Sequence, residues 1–140
     1  RADWNAGVAA AYAGERFLAS CRGWVVLLGG AEEDQARRLA AAFGTAEYFA
    51  THRVSEHHAW ARYDGGRCTR SYAYDGERGA VLRDQGPLTA EEIALGFGAL
   101  PRQGGEPYER PPTERDVLDI AAAWGPDPQD PEGGSGWIFR

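Results

Sequence analysis

The chain has 140 residues, of which 21 are acidic and 15 are basic, so its formal net charge is -6. This length fits a single domain, and the acidic balance argues against a nucleic-acid partner. No window approaches the roughly 18 consecutive apolar residues of a membrane span, so no membrane segment is expected. Every basic residue is arginine, and the absence of lysine excludes a P-loop, a Schiff-base enzyme and a kinase.

The first part of the chain predicts a helix, a strand and a second helix. Residues 3–19 have helical spacing of apolar side chains behind Asp3, which is a favourable N-cap. The apolar run 24–28 lies between glycines and predicts a buried strand. Over 32–43, acidic residues in the first turn precede an apolar stripe, and both features predict a helix.

From residue 46 to residue 84 the hydrophobic period changes to two, which is typical of strands. Asp-Gly dipeptides at 64–65 and 75–76 separate neighbouring alternating runs and are strong hairpin signals. Short loops require antiparallel neighbours, so the segment predicts a meander. Its expected strands are 46–53, 57–63, 67–74 and 79–84.

The last third of the chain predicts two more helices. Thr89 and Glu92 form a T-x-x-E capping box. A loop rich in proline and glycine covers 98–112, and a helix with a clear apolar stripe follows over 113–124.

These elements predict an α+β domain over residues 1–125. A four- to five-stranded antiparallel sheet, including the meander 46–84 and the strand 24–28, is expected to pack against the helices in two layers. Residues 126–140 form a tail rich in proline, glycine and aspartate, and its segment 126–136 is expected to be mobile. The apolar end Trp137-Ile138-Phe139 is expected either to dock on the domain or to contact a partner, and a homo-oligomer is one such arrangement.

All three histidines lie close together, at His52, His57 and His58, with Glu56 among them. Imidazole and carboxylate groups serve as metal ligands and as general acids or bases. The spacing matches no established ligand motif, and adjacent residues on a strand point to opposite faces. The other interpretation is a polar turn that satisfies the hairpin backbone. We therefore assign no metal and no cofactor, and keep the four residues as candidates for acid–base chemistry.

Cys21 and Cys68 are the two cysteines of the chain. They allow one disulfide, one nucleophile beside a histidine, or two structural thiols. Structural thiols in a reducing cytoplasm are favoured.

The meander combines arginine with aromatic residues. On one predicted strand, alternate positions hold His58, Trp60 and Arg62. On the next strand, alternate positions hold Arg70, Tyr72 and Tyr74. If both sets share an exposed face, that face resembles an interface, because Trp, Tyr and Arg dominate binding hot spots. The alternative places the aromatic rings in the core beneath the helices. The predicted binding residues are Trp60, Arg62, Arg70, Tyr72 and Tyr74.

Four segments resemble a family of small actinobacterial hypothetical proteins for which no activity is established. They are Phe49–Arg53, His58–Trp60, Tyr72–Gly79 and Leu88–Glu92. The resemblance covers about the middle and C-terminal two-thirds of the chain. It implies a single compact domain in a bacterial cytoplasm and contributes no catalytic residue.

The leading functional hypothesis is a non-catalytic cytoplasmic module that binds a protein or peptide. An immunity- or antitoxin-like inhibitor is one version, because small acidic proteins neutralise basic partners through charge complementarity. The alternative is a small tailoring enzyme or accessory protein that uses the histidine cluster.

Overall fold

The computed structural model describes residues 1–97, 111–130 and 134–140. Most of the predicted loop 98–112 lies outside the described residues, as do residues 131–133 of the predicted tail. The chain divides into two compact units. The terminal unit comprises Arg1–Glu32 and Ala121–Arg140, and the central unit comprises Glu33–Ile120.

The terminal unit contains an antiparallel four-stranded sheet in the order β1-β8-β2-β3. Its elements are β1 (Ala2–Asp3), α1 (Trp4–Tyr12), β2 (Arg16–Cys21), β3 (Trp24–Leu28) and β8 (Ser135–Phe139). The central unit contains a second antiparallel sheet, in the order β4-β5-β6-β7. Its elements are α2 (Glu33–Phe43), β4 (Thr45–His52), β5 (His57–Asp64), β6 (Arg67–Asp75), β7 (Ala80–Gln85) and α3 (Ala90–Ala94). Helix α4 (Glu114–Trp124) spans the division between the units.

The α+β class and the antiparallel meander are confirmed. Each predicted meander strand is present within two residues of its expected bounds. The capping box of α3 is confirmed as well, since the Glu92 amide donates to Thr89 Oγ1 and the Thr89 amide donates to the Glu92 carboxylate. Local patterns therefore predict this part of the chain well.

The predicted helix over 3–19 is wrong in its second half. Helix α1 ends at Tyr12, and Gly14 adopts a φ of 89°, a left-handed conformation that is typical of helix ends. Strand β2 then buries Phe17, Ala19 and Cys21 in strict alternation with exposed residues. This period-two burial is the mark of a strand with one covered face.

The prediction that the strand 24–28 joins the meander is also wrong. Strand β3 pairs with β2 in the sheet of the terminal unit. The apolar end of the chain docks on the domain, as one of the two expectations has it, because Ser135–Phe139 form β8 between β1 and β2. The sheet therefore combines the local hairpin of β2 and β3 with strand pairing between the two ends of the chain.

One face of the terminal sheet is covered by α1. Asp3 caps this helix by accepting a hydrogen bond of 2.8 Å from the Ala6 amide. Trp4 packs edge-on against Phe17, with ring centroids 5.9 Å apart. Ala19 is buried in the same cluster, with Val8, Val26 and Leu28 packed against it.

Gly136 allows β8 to lie against β2. A Cβ atom at this position would stand 1.9 Å from the carbonyl oxygen of Leu18, far inside van der Waals contact. Any side chain here would force the two strands apart. The position explains why a glycine precedes the apolar end of the chain.

Both faces of the central sheet are covered. On one face, Ala36 and Ala40 of α2 form a buried cluster with Ala61 and Tyr63 of β5. On the other face, the Trp60 ring lies 5.6 Å from the Phe97 ring. No helix in the described residues combines the length and apolar character that a membrane crossing requires.

Candidate functional site

The strand register brings the predicted binding residues of the meander together. Trp60 lies opposite Tyr72, and their rings stack with centroids 4.6 Å apart. Arg62 lies opposite Arg70, and His58 lies opposite Tyr74. Cross-strand partners share a face, so the two sets of alternate residues do form one surface.

That surface is not exposed, so the expected open binding face is wrong. Trp60 has no exposed surface, and Arg70, Tyr72 and Tyr74 are also buried. Arg62 is the member with substantial exposure, at 41% of its side chain, and its Nε lies 3.4 Å from Glu47 Oε1. The aromatic residues of the meander belong to the core, which was the alternative interpretation of the sequence.

Arg70 is buried because two carboxylates neutralise it. Its Nη2 donates to Glu92 Oε1 at 2.7 Å, and its Nη1 donates to Asp84 Oδ1 at 2.6 Å. Trp60 Nε1 also donates to Glu92 Oε1, at 2.8 Å. Burial raises the pKa of Glu92, but the hydrogen bonds from Arg70, Thr89 and Trp60 outweigh it and hold the pKa below its usual value. The cluster ties the start of α3 to the sheet.

A second, partly buried carboxylate contacts the opposite face of the sheet. Glu33 accepts hydrogen bonds from Tyr63 at 2.5 Å and from Ser71 at 2.8 Å, and it pairs with Arg83. Burial and the nearby Glu33 carboxylate raise the pKa of Tyr63. These contacts hold α2 against the sheet.

Both cysteines are free thiols. Burial, followed by the charge of Glu33, raises the pKa of the Cys68 thiol. A raised pKa lowers the fraction of thiolate, which is the nucleophilic form. The structural interpretation of Cys68 is therefore favoured over a catalytic one.

The strand register pairs two of the three histidines with each other and places the third opposite a threonine. His52 lies opposite His57 at the ends of β4 and β5, and His52 Nδ1 lies 2.9 Å from Ser55 Oγ. His58 lies one residue further along and opposite Thr51. Within residues 1–97, 111–130 and 134–140, no three His, Cys, Asp or Glu side chains are arranged to hold a metal ion.

His58 is fully buried, and both of its ring nitrogens have partners. Nδ1 lies 2.9 Å from Thr51 Oγ1, and Nε2 lies 2.8 Å from Glu56 Oε2. Next to this chain of contacts, Arg53 donates to both carboxylate oxygens of Glu114, at 2.6 and 3.0 Å. The Arg53 guanidinium holds the pKa of Glu114 below its usual value. Of the candidates His52, Glu56, His57 and His58, the structure joins Glu56 to His58 and adds Thr51.

An open apolar surface lies on the terminal sheet. The face away from α1 is formed by alternate residues of three strands, because cross-strand partners share a face. Leu18 lies opposite Leu27 on one side and opposite Trp137 on the other. We call this surface the outward face; its apolar residues are Leu18, Val25, Leu27, Trp137 and Phe139.

The outward face is well exposed to solvent. Val25 exposes 75% of its surface and Trp137 exposes 60%. The Arg1 guanidinium lies 5.9 Å from the centroid of the Trp137 ring, in a cation–π contact, and Arg16 lies opposite Phe139. The surface therefore combines aromatic, aliphatic and arginine side chains.

Sequence reasoning missed Thr51 and the outward face for different reasons. Thr51 carries no motif, and its register opposite His58 was the signal that could have identified it. The outward face depends on pairing between β2 and β8, which are more than 100 residues apart in the chain. Only the apolar end of the chain indicated that Trp137 takes part in a contact.

Comparisons with models of protein families, with curated proteins and with solved structures find no match.

Proposed function

We propose that the chain binds a protein or peptide through the outward face of the terminal sheet. One observation carries this proposal: large apolar side chains remain exposed together on one face of a sheet whose other face is covered by α1. Contiguous exposed apolar patches of this kind mark interaction surfaces. The proposal keeps the binding role expected from the sequence and moves it from the meander to the terminal sheet.

The residue types of the outward face support a binding role. Tryptophan and arginine dominate interface hot spots because they bury a large area and retain a polar group. Trp137 and Arg1 are already in contact, so part of the side-chain ordering is complete before a partner arrives.

The charge of the outward face favours a partner with carboxylates around an apolar patch. The outward positions of β2, β3 and β8, all within the described residues, hold Arg16 and no acidic residue. At the β1 border, Asp3 is engaged as the cap of α1. A carboxylate of the partner would find Arg1 and Arg16 at the margin of the apolar area.

An immunity- or antitoxin-like role is the finer form of this proposal. The net charge of -6 favours a basic partner through long-range attraction. The partner can be basic overall and still present carboxylates to the outward face. Long-range attraction depends on the summed charge of each protein, whereas direct contact depends on the groups at the interface. A cytoplasmic location belongs to the same proposal, since two free thiols suit a reducing compartment.

Selection of peptides from a displayed library tests the proposal directly. We expect peptides that combine apolar residues with Asp or Glu to be enriched on the wild-type chain and lost on Leu18→Glu and Trp137→Ser. Phe43→Ser, which changes an exposed apolar residue of the central unit, is the matched control and should retain them. Equal enrichment on wild type and on Trp137→Ser would refute the proposal.

A second copy of this chain is the competing occupant of the outward face. Light scattering of the wild-type chain distinguishes the two, because a module that awaits a partner is monomeric. A dimer that Trp137→Ser dissociates would show that a second copy covers the outward face and would overturn the proposal.

A further inference from the structure

We propose that Thr51, His58 and Glu56 form a nucleophile–base–carboxylate triad that accepts acyl groups from small esters. The three groups are connected in series: the Thr51 hydroxyl contacts one ring nitrogen of His58, and the Glu56 carboxylate contacts the other. The same roles define hydroxyl nucleophiles on unrelated folds, although in the Ser-His-Asp triad the hydroxyl contacts Nε2 and the carboxylate contacts Nδ1, the reverse of the contacts at His58. The activity lies in the central unit and is separate from binding at the outward face.

Hydrogen-bond chemistry fixes the direction of the contacts. A carboxylate only accepts, so Glu56 requires a hydrogen on His58 Nε2. In the neutral ring, Nδ1 then carries the lone pair, and the Thr51 hydroxyl must donate to it. With His58 neutral, the hydroxyl proton of Thr51 is directed at a base, which is the condition for an activated nucleophile.

The fold holds these groups in place. His58 lies on the second strand of the meander with no exposed surface, whereas Thr51 on β4 is exposed. The Thr51 side chain therefore lies at the surface, and its base lies beneath it, shielded from water. Shielding strengthens the hydrogen bonds of the imidazole, because the local dielectric is lower than in water.

Glu56 is held in an unusual conformation by a neighbouring turn. Its φ is 49°, in the left-handed region that residues other than glycine rarely adopt. The Gly76 amide donates to the Glu56 carbonyl at 3.1 Å, and a Cβ at Gly76 would stand 2.4 Å from Glu56 Cβ. Such strain concentrates at functional sites, where the surrounding structure imposes it. From this position the Glu56 carboxylate contacts His58.

The reaction balances with the ester and water alone. Thr51 Oγ1 forms a bond to the carbonyl carbon of the ester while its proton passes to His58 Nδ1. The bond from that carbon to the leaving oxygen breaks, and His58 returns the proton to the leaving oxygen. Hydrolysis requires the acylated Thr51 side chain to turn aside and open His58 Nδ1 to water. The water then attacks the acyl group, gives a proton to His58, and releases the acid as Thr51 recovers its hydrogen. Glu56 is a positioning residue, because it orients the ring and stabilises its charged form.

Incubation with p-nitrophenyl acetate, followed by mapping of the acetylated residue by mass spectrometry, tests the triad. We expect acetyl transfer to Thr51 and its loss in Thr51→Val. The matched control is Thr45→Val, since Thr45 is an exposed threonine of the same strand that lies opposite Asp64 rather than a histidine. Thr51→Ser keeps the hydroxyl and should retain transfer.

The two supporting residues are tested by rate. Removal of a general base lowers rates by about 100- to 10,000-fold, and we expect His58→Gln to fall in this range. Glu56→Gln should also slow the reaction, and Glu56→Asp, which keeps the carboxylate, should recover part of the rate. If Glu56 had only a structural role, Glu56→Gln and Glu56→Asp would transfer acetyl at the same rate when both are folded. Because Thr51 and Glu56 are exposed, their variants keep the test valid if His58→Gln fails to fold.

Several results would overturn the triad. Acetylation of a histidine instead of Thr51 would assign the nucleophile elsewhere. Equal labelling of Thr45 and Thr51 would indicate ordinary surface reactivity. Absence of acetyl on Thr51 in the folded wild-type chain would leave the three residues with a structural role only.

Discussion

The two sheets of this protein use similar residues in opposite ways. In the central sheet, tryptophan, tyrosine and arginine share one face of the sheet, and this face is buried, as Trp60 and Arg70 show. In the terminal sheet, Trp137 and Arg16 lie on a face that stays open to solvent. Residue type alone therefore does not separate a core from an interface.

The difference lies in the partners of the arginines. Arg70 contacts Glu92 and Asp84, which supply the charge that burial of a guanidinium requires. Arg1 instead stacks on an exposed ring and donates to Ser135 Oγ at 3.0 Å. An arginine beside aromatic residues indicates a core when carboxylates converge on it from other elements.

The largest expected effect comes from Arg70→Met. The change leaves Glu92 buried without its cation, and removal of one member of a buried ion pair costs about 3–5 kcal/mol. Denaturant unfolding of the central unit measures the loss. Arg37→Met, at an ion pair whose two side chains are both about half exposed, is the control and should cost much less. Similar losses for the two variants would contradict a special role for the buried cluster.

Gly136→Ala should destabilise the terminal unit specifically. The added Cβ would collide with the Leu18 carbonyl, and overpacking typically costs about 1–3 kcal/mol. Amide hydrogen exchange should then accelerate in β2 and β8 and stay unchanged in β5. Ser20→Ala, an exposed change on β2, is the control. Uniform acceleration across both sheets would show that the two units do not open separately.

Acid should weaken the central unit partly through Glu92. Its pKa is lower in the folded state than in the unfolded chain, so the unfolded state takes up the proton first as pH falls. This stabilisation is present above the usual carboxyl pKa of about 4.3 and is lost below it. Glu92→Gln should flatten the pH dependence of the unfolding free energy, and Glu77→Gln, an exposed turn residue, should not. Parallel curves for wild type and Glu92→Gln would contradict this assignment.

The smallest effect is expected at the outward face. Val25→Thr changes a side chain that is 75% exposed, so the unfolding free energy should shift by no more than about 0.5 kcal/mol. The same substitution at Val117, which is buried in α4, places a hydroxyl in the core and should cost about 1–3 kcal/mol. Comparable losses at the two sites would mean that the outward face is covered.

The sequence predicts those parts of the fold that depend on neighbouring residues. Asp64-Gly65 and Asp75-Gly76 mark hairpins locally, and Thr89 with Glu92 marks a helix start. Strand β2 was missed because the alanine-rich segment before it continues a helical pattern up to Gly14. The apolar run of β3 carries no sign of which strand it pairs with.

The candidate sites were predicted less well, because they depend on contacts between distant segments. The burial of Arg70 requires Glu92, which lies 22 residues away, and the exposure of Trp137 depends on its pairing with β2. Glu56 and His58 were identified from their proximity in sequence, whereas Thr51 became visible only through the strand register. The shared face of the meander was inferred correctly, but its burial was not.

Hydroxyl-radical footprinting, with and without a selected peptide, tests the central claim most directly. We expect rapid modification of Trp137 in the free chain, protection of Trp137 when the peptide binds, and little modification of Trp60 in either state. Modification of Trp60 as fast as that of Trp137, or a peptide that protects the meander and leaves Trp137 reactive, would contradict that claim.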